Sequence, residues 1–235
     1  MIFERTDWTK KDFDDLREYE KTIKGSARDC EWEKRIVNTK LECFARTSTK
    51  AKEVVRLIKK GAYLKFLENI KIENMFESLV CAHLIGTIKD FDVFERNLDK
   101  FVVTIDNWAS ADTLRFKKQS KEKLVELSHK YLKSDMPFVR RVGVNIWLEL
   151  IKDEKHFDGA FDVLNSLADE AEYYVNMSAA WLLSFCMVYN REKTISYFKN
   201  NTTNSFIINK AISKCRDSFR ISNEDKEMLK DFKVR

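Results

Sequence analysis

The stretch that decides the fold class runs from Tyr174 to Val188 and reads YVNMSAAWLLSFCMV. Apolar residues occur on every side of a helix drawn through it, as expected for an inner helix covered by neighbouring helices. Phe76–Ile88 and Val142–Ile151 have the same character. The segments between them show a single apolar stripe, as expected for outer helices. This alternation predicts stacked helix pairs, as in α-solenoids.

The composition favours the same fold class. Of 235 residues only five are glycine and one is proline, Pro137, whereas sheet proteins need turn residues at regular intervals. No interior linker is visible, and the absence of a clear repeat is usual for degenerate HEAT-type units of roughly 40 residues. We therefore predict an all-α chain, an α-solenoid of about six HEAT-like helix pairs with a basic concave face. Residues 1–235 are expected to form a single domain.

Apolar spacing also predicts where the helices lie. Thr47-Ser48-Thr49 is typical of a helix start, and Gly61 of the stop of that helix. The next helices are predicted, in chain order, at Glu73–Ile88, Asp90–Ile105, Asn107–Phe116, Lys121–Leu132, Phe138–Ile151, Phe157–Ala168, Tyr173–Tyr189, Glu192–Phe198, Ser205–Ser218 and Asn223–Phe232.

Several functional classes are not expected. No stretch approaches the roughly 18 consecutive apolar residues of a membrane span, and the first residues, MIFERTDWTKKDFDD, lack a secretory apolar region. The five cysteines have no paired spacing, and the three histidines have no metal-ligand spacing. We expect a cytoplasmic monomer in a reducing compartment, with no membrane, metal or cofactor partner.

Basic residues are concentrated in three clusters. Arg46–Lys65 holds seven Lys or Arg and one acid, Arg115–Arg141 nine against three, and Lys199–Arg220 five against one. Each cluster alone is typical of a solvated helix face. Three clusters in an otherwise balanced chain favour a polyanionic partner, because each Lys or Arg that neutralises a phosphate releases counterions.

One short segment carries the most informative spacing. Trp108 and Asp112 are four residues apart, so on one helix their side chains occupy the same face. An indole beside a carboxylate suits a cationic ligand, since the π-face attracts the cation and the carboxylate neutralises it. The alternative is structural, with Trp108 in the core and Asp112 as a cap or ion-pair partner.

Three downstream residues recur at about one repeat length. Arg140 and Arg141 follow Trp108 by 32 and 33 residues, and Trp181 follows Arg141 by 40. In a solenoid with units of that length, equivalent positions on successive inner helices line one surface. Arginine suits a phosphate there, because its planar fork binds two oxygens at once.

Four co-linear blocks resemble the AlkD-like DNA alkylation repair family. The blocks are Ile105-Asp-Asn-Trp-Ala-x-x-Asp112, Phe138-Val-Arg-Arg-Val142, Tyr173-Tyr-Val-Asn-Met-Ser-Ala-Ala-Trp-Leu-Leu183, and Asn209-Lys-Ala-Ile-x-Lys214 followed by Asp217-Ser-x-Arg220. The resemblance runs from about Thr47 to Arg220. It implies a HEAT-like solenoid that cradles duplex DNA, alkylated or distorted, and removes N3- or N7-alkylated purines.

The resemblance also implies roles for single residues. Trp108 and Asp112 match the family's catalytic pair, Trp181 its second cleft tryptophan, and Arg140 or Arg141 its phosphate contact. We assign Trp181 as a third catalytic residue. We assign further DNA contacts to Lys117, Lys118, Lys210, Lys214 and Arg220.

This chemistry calls for no metal, cofactor or covalent nucleophile. An N3- or N7-alkylpurine already carries a positive charge and leaves without protonation. One carboxylate can then stabilise the oxocarbenium-like sugar and the attacking water, much as in glycoside hydrolysis.

The chain departs from the family at two places. Leu41–Thr47 reads LECFART, with Glu42 and without the glycine of active members, and Ser184 stands where AlkD-like glycosylases have arginine. Three hypotheses therefore stay open: a monofunctional DNA glycosylase, a catalytically weak or inactive DNA-binding relative, and a solenoid scaffold for protein interactions.

Overall fold

The protein is all-α. A computed structural model describes residues 3–45 and 47–234, with only the backbone described for Thr47, and its regular structure is helical. Among these residues no strand forms, and one isolated bridge pairs Glu42 with Asn74. The predicted fold class is confirmed, whereas the number of HEAT-like pairs and the basic concave face stay predictions.

The chain forms two compact units, residues 1–120 and 121–235. The expectation of one domain stays a prediction. The helices of the first unit are α1 Lys10–Ile23, α2 Ala27–Val37, α3 Thr47–Ile58, α4 Tyr63–Asn69, α5 Met75–Ile85, α6 Phe91–Val102 and α7 Trp108–Thr113. Those of the second are α8 Lys121–Leu132, α9 Pro137–Leu150, α10 Glu154–Phe157, α11 Gly159–Ser166, α12 Tyr173–Tyr189, α13 Arg191–Asn200, α14 Ser205–Asp217 and α15 Asn223–Met228, followed by a 3₁₀ turn at Leu229–Phe232.

Helix α5 is the central helix of the first unit. Ten of its 11 residues are buried, Phe76 and Leu84 completely, and it packs against α3 and α7. Asn74 caps its start, where the side-chain oxygen accepts a hydrogen bond of 2.9 Å from the Glu77 amide. The predicted inner helix Phe76–Ile88 is therefore a buried helix, and it is the base on which α7 rests.

Helix α12 is the central helix of the second unit. It packs against both α9 and α14, and most of its residues are buried. Helix α9 also packs against α8, where the Nε1 of Trp147 donates a hydrogen bond of 2.7 Å to the Ser128 hydroxyl. The inner helices predicted at Val142–Ile151 and Tyr174–Val188 are thus confirmed as buried.

Helix α7 is shorter than predicted. It ends at Thr113 rather than at Phe116, because Leu114 takes an extended conformation. The extended segment places Leu114 and Phe116 in the core, where they are 4% and 5% exposed. Burial of these two side chains outweighs the small gain from one more helical turn.

Two other helix boundaries differ from the prediction, and a closely packed glycine lies near each of them. The segment Phe157–Ala168 forms two helices, α10 and α11, and Gly159 at their junction lies so close to the Trp147 ring that an added Cβ would be 2.5 Å from it. The helix predicted to stop at Gly61 ends at Ile58, and a Cβ on Gly61 would be 2.2 Å from the Arg5 carbonyl oxygen. Helix α4 was not predicted.

Candidate functional site

Two of the candidate catalytic residues, Trp108 and Asp112, lie on the open face of α7. Asn107 caps this helix by accepting a hydrogen bond of 2.8 Å from the Ser110 amide. Ser110 and its neighbour are buried against α5, where the Ser110 hydroxyl lies 2.7 Å from that of Ser78. The anchored face leaves Trp108 and Asp112 partly exposed, one turn apart.

The start of α7 is joined to the end of α2 and to the segment that follows it. The Nε1 of Trp108 donates a hydrogen bond of 3.2 Å to the Ile36 carbonyl. The Asp106 carboxylate accepts hydrogen bonds from the Thr39 hydroxyl at 2.6 Å and the Lys40 amide at 2.7 Å. The indole N–H of Trp108 is therefore engaged within the protein, and its ring face is the part that a ligand can meet.

The end of α7 lies in positively charged surroundings. One guanidinium nitrogen of Arg115, Nη1, donates to the carbonyls of residues 112–114 at 2.8, 3.1 and 2.8 Å. Burial, together with the charges of Lys52 and Arg115, lowers the pKa of His83 to about 4. The carboxylate of Asp112 thus stands on a helix whose C-terminal carbonyls bind a guanidinium, that of Arg115.

A basic cluster in the first unit contains one predicted DNA contact. The ammonium of Lys118 donates to the Thr87 carbonyl at 3.1 Å, and burial and the charges of Lys59 and Lys89 lower its pKa. Lys89 was missed at the sequence level, because only folding brings it close to Lys118. Lys117, the other contact predicted here, is exposed.

Helix α12 presents an aromatic row on its open side, and Trp181 is part of it. The Trp181 ring meets Phe185 edge to face at 5.6 Å between ring centres, and Phe185 lies 6.4 Å from Tyr189. The guanidinium of Arg220 lies over Phe185 at 5.8 Å and over Tyr189 at 5.5 Å. The second unit thus brings two predicted residues, Trp181 and Arg220, to one surface. The spacing 181, 185, 189 was the signal for the two rings that sequence reasoning missed.

The two arginines predicted to contact phosphate are engaged within the second unit. Arg140 pairs with Glu170 through two hydrogen bonds, of 2.7 and 3.1 Å, and donates a third to the Ser134 carbonyl at 2.8 Å. Arg141 is only 5% exposed and donates to the Tyr174 carbonyl. A phosphate would have to compete with Glu170 for Arg140, and the burial of Arg141 gives that side chain a structural contact between α9 and α12. Their DNA contacts stay predictions.

The remaining predicted contacts lie on α14. Lys210 is exposed, and its ammonium lies 5.8 Å from the centre of the Phe206 ring. Lys214 is half-buried one turn later. Trp108 and Asp112 belong to the first unit, and the arginines, Trp181 and these lysines belong to the second.

A comparison with known protein families gives a match. The pattern of the family described as "DNA alkylation repair enzyme" matches residues 25–215, which is most of the chain. The chain belongs to this DNA alkylation repair family. No curated protein and no solved structure gives a significant match.

The first departure from the family, the glycine-free run Leu41–Thr47, has an unusual backbone conformation at one residue. In the run that lacks glycine, Ala45 adopts a φ of 55°, in the left-handed region that favours glycine, and its amide donates to the Glu33 carboxylate at 2.8 Å. Glu42 in the same run forms an ion pair with Lys24. Arg46, which belongs to this run and to the first basic cluster, lies outside the described residues, as does the side chain of Thr47.

The second departure lies beside the aromatic row. Ser184 is 6% exposed, and its hydroxyl donates to the Trp181 carbonyl at 2.7 Å. It presents no charge to the surface. In this member of the DNA alkylation repair family, the guanidinium above the row comes from Arg220 instead.

Within residues 3–45 and 47–234, no group of three or more His, Cys, Asp or Glu side chains is placed to hold a metal ion. Over the same residues, none of the helices has the length and apolar character that crossing a bilayer requires. All five cysteines are buried free thiols.

Proposed function

We propose that this protein is a monofunctional DNA glycosylase, which hydrolyses the N-glycosidic bond of cationic N3- or N7-alkylpurines in duplex DNA. The observation that supports this most directly is the pairing of Trp108 and Asp112 on the open face of α7. Both side chains are partly exposed, and the helix that carries them is fixed by its cap and its buried face.

The proposed reaction needs one carboxylate. The bond between the sugar C1′ and the purine nitrogen breaks, and its electron pair neutralises the positive charge of the base. Asp112 stabilises the oxocarbenium-like sugar and orients water, whose oxygen bonds to C1′ while a proton is released. The ring face of Trp108 supplies an electron-rich wall beside the cationic centre.

Positive charge in each of the two units supports duplex DNA as the partner. The first unit offers Lys118 together with Lys59 and Lys89, whose charges are close enough to lower the pKa of Lys118. The second unit offers Arg220 above the aromatic row. Phosphate contacts of this kind position a duplex without reading its sequence. We also propose that the protein acts as a monomer in a reducing cytoplasm, in keeping with its free thiols.

The test is release of free base from methylated duplex DNA. Wild type should release N3- or N7-methylpurine, and Asp112→Asn should slow release by at least about 100-fold, the size of effect expected when charge stabilisation is removed from the transition state. Asp162→Asn is the matched control, because it removes one exposed carboxylate on α11 and should leave release unchanged. Wild-type release at the uncatalysed rate would exclude the glycosylase.

A catalytically inactive DNA-binding relative is the second candidate. It is favoured by the uncharged Ser184 beside Trp181 and by the glycine-free run with its left-handed Ala45. Such a protein would bind duplex or branched DNA with a steep salt dependence, while Asp112→Asn would release as much base as wild type. A protein-interaction scaffold would bind no DNA at low salt.

A further inference from the structure

One side chain of the second unit is exposed beyond all others of its kind. Phe219 has a relative exposure of 104%, in the turn between the end of α14 at Asp217 and the start of α15 at Asn223. This turn lies outside the span that matches the family, which ends at residue 215. A single exposed apolar residue needs no explanation on its own, so its surroundings decide what it means.

The turn is held from both sides. The Arg220 amide donates to the Ser218 hydroxyl at 3.2 Å, and Ile221 is only 7% exposed. Ser222 caps α15 by accepting from the Asp225 amide at 3.1 Å. Phe219 therefore projects from an anchored turn.

The anchored helix α15 is itself tied to its neighbour. The carboxylate of Asp225 accepts hydrogen bonds of 2.8 and 2.6 Å from the Arg191 guanidinium at the start of α13. A partner that contacts Phe219 would meet a side chain on an anchored backbone, so little backbone entropy is lost on binding.

The surroundings of Phe219 combine rings with positive charge. Its neighbour Arg220 lies over the rings of Phe185 and Tyr189, which continue the row that begins at Trp181. Arg216 is exposed at the end of α14, one turn before the phenylalanine. An exposed apolar side chain with arginines one and three residues away in the chain complements a duplex, which offers stacked bases between rows of phosphates.

We propose that Phe219 is a wedge that inserts at a base step of the bound duplex, while Arg220 contacts the neighbouring phosphate. This inference rests on the proposed DNA partner and deepens it, since it names how the second unit deforms the duplex. Apolar wedges of this kind partly unstack the bases and kink the helix. The energy of contact between an aromatic side chain and a base offsets the cost of unstacking.

The experiment uses the full chain and a duplex with 2-aminopurine, whose fluorescence rises when its neighbours unstack. Wild type should bind and raise the fluorescence. Phe219→Ala should bind about 10-fold more weakly, as expected for loss of one base contact, and should abolish the rise. Phe219→Leu should keep most of both signals, because leucine also serves as a wedge.

A matched control separates this effect from general loss of apolar surface. Val103→Ala removes another exposed apolar side chain, 54% exposed in the first unit, and should change neither affinity nor fluorescence. The melting temperature of Phe219→Ala should equal that of wild type, because the removed ring is exposed.

The outcomes distinguish the wedge from the function on which it rests. If wild type binds and Phe219→Ala matches it in affinity and fluorescence, the wedge is excluded and DNA binding stands. If wild type binds no duplex at low salt, the proposed function fails first and the wedge fails with it. Loss of affinity with an unchanged fluorescence rise would also overturn the wedge, since the ring would then act outside the base stack.

Discussion

The two candidate surfaces are held in place by different forces. In the first unit, hydrogen bonds position α7: Trp108 donates to Ile36, and Asp106 accepts from the segment after α2. In the second unit, Trp181 stands on the packed helix α12 and meets Phe185 edge to face, and the Arg220 guanidinium lies over the Phe185 ring. Hydrogen bonds have a preferred direction and fix an orientation, whereas ring contacts tolerate sliding. The first surface is thus suited to precise chemistry, and the second to an adaptable contact with a ligand.

The largest expected effect sharpens the division between the core and the open face in the second unit. Trp147 is 2% exposed and hydrogen-bonded to Ser128, whereas Trp181 is partly exposed. Trp147→Ala should lower the free energy of unfolding by about 3–5 kcal/mol, through the cavity left in the core. Urea denaturation measures this change, and Trp181→Ala should cost much less. Loss of DNA binding by Trp147→Ala at unchanged stability would show that the core and the open face have been confused.

Much of this architecture could be predicted from the sequence, because it depends on local pattern. Helix α12 shows apolar residues all round because both α9 and α14 cover it. The spacing of Trp108 and Asp112 placed them on one face of a helix, and α7 shows that arrangement. Such inferences need only helix geometry and the preference of apolar side chains for burial.

The rest depends on contacts between distant residues. Burial of Arg141 requires the Tyr174 carbonyl, 33 residues away, and an arginine in an isolated sequence is expected to be exposed. The proximity of Lys89 to Lys118 and the engagement of the Trp108 N–H by Ile36 arise in the same way. No local pattern carries this information.

The second effect concerns pH. A buried carboxyl group in each unit should change the stability of the protein with pH, in opposite directions. In the first unit Glu20 is 1% exposed and accepts a hydrogen bond of 2.8 Å from Asn74. Burial and the charge of Glu77 raise the pKa of Glu20 from 4.5 to about 8. The folded state therefore keeps a proton that the unfolded state has lost, so the contribution of Glu20 to the free energy of unfolding falls as pH rises from about 4.5 to 8.

The buried carboxylate of the second unit behaves in the opposite way. Burial acts to raise the pKa of Glu170, but the hydrogen bonds from Arg140 and from the Glu172 amide outweigh it and lower the pKa below 4.5. Its contribution to stability is present at neutral pH and is lost as pH falls through the lowered pKa. Acid should loosen the Arg140 contact, while base should loosen α1 from α5.

Glu20→Gln tests this difference. It keeps an oxygen that accepts from Asn74 and removes the charge, so it should stabilise the protein by a few kcal/mol at pH 8 and by much less at pH 4.5, at about 1.4 kcal/mol per pKa unit. Burial also raises the pKa of Glu77, so the stability of the Glu20→Gln variant should still depend on pH to some extent. Denaturation at several pH values measures the change, with the exposed Glu18→Gln on the same helix as control. Equal effects at both pH values would contradict the raised pKa.

The smallest effect tests whether the position of α7 depends on its hydrogen bond to the end of α2. Trp108→Phe keeps an aromatic ring but removes the hydrogen bond to the Ile36 carbonyl, which should cost about 0.5–1.5 kcal/mol. Because the bond joins the start of α7 to the end of α2, the loss should also appear as amide hydrogen exchange about 2- to 10-fold faster in residues 36–41. Trp32→Phe is the control, because it removes an exposed indole N–H from α2 itself. If exchange in residues 36–41 stays at the wild-type rate, the Trp108 bond does not hold the two elements together, and the Asp106 bonds and packing against α5 position α7. The glycine-free run that departs from the family would then have no route through this bond to the candidate catalytic pair, and its effect on activity would have to come from its own contact with DNA.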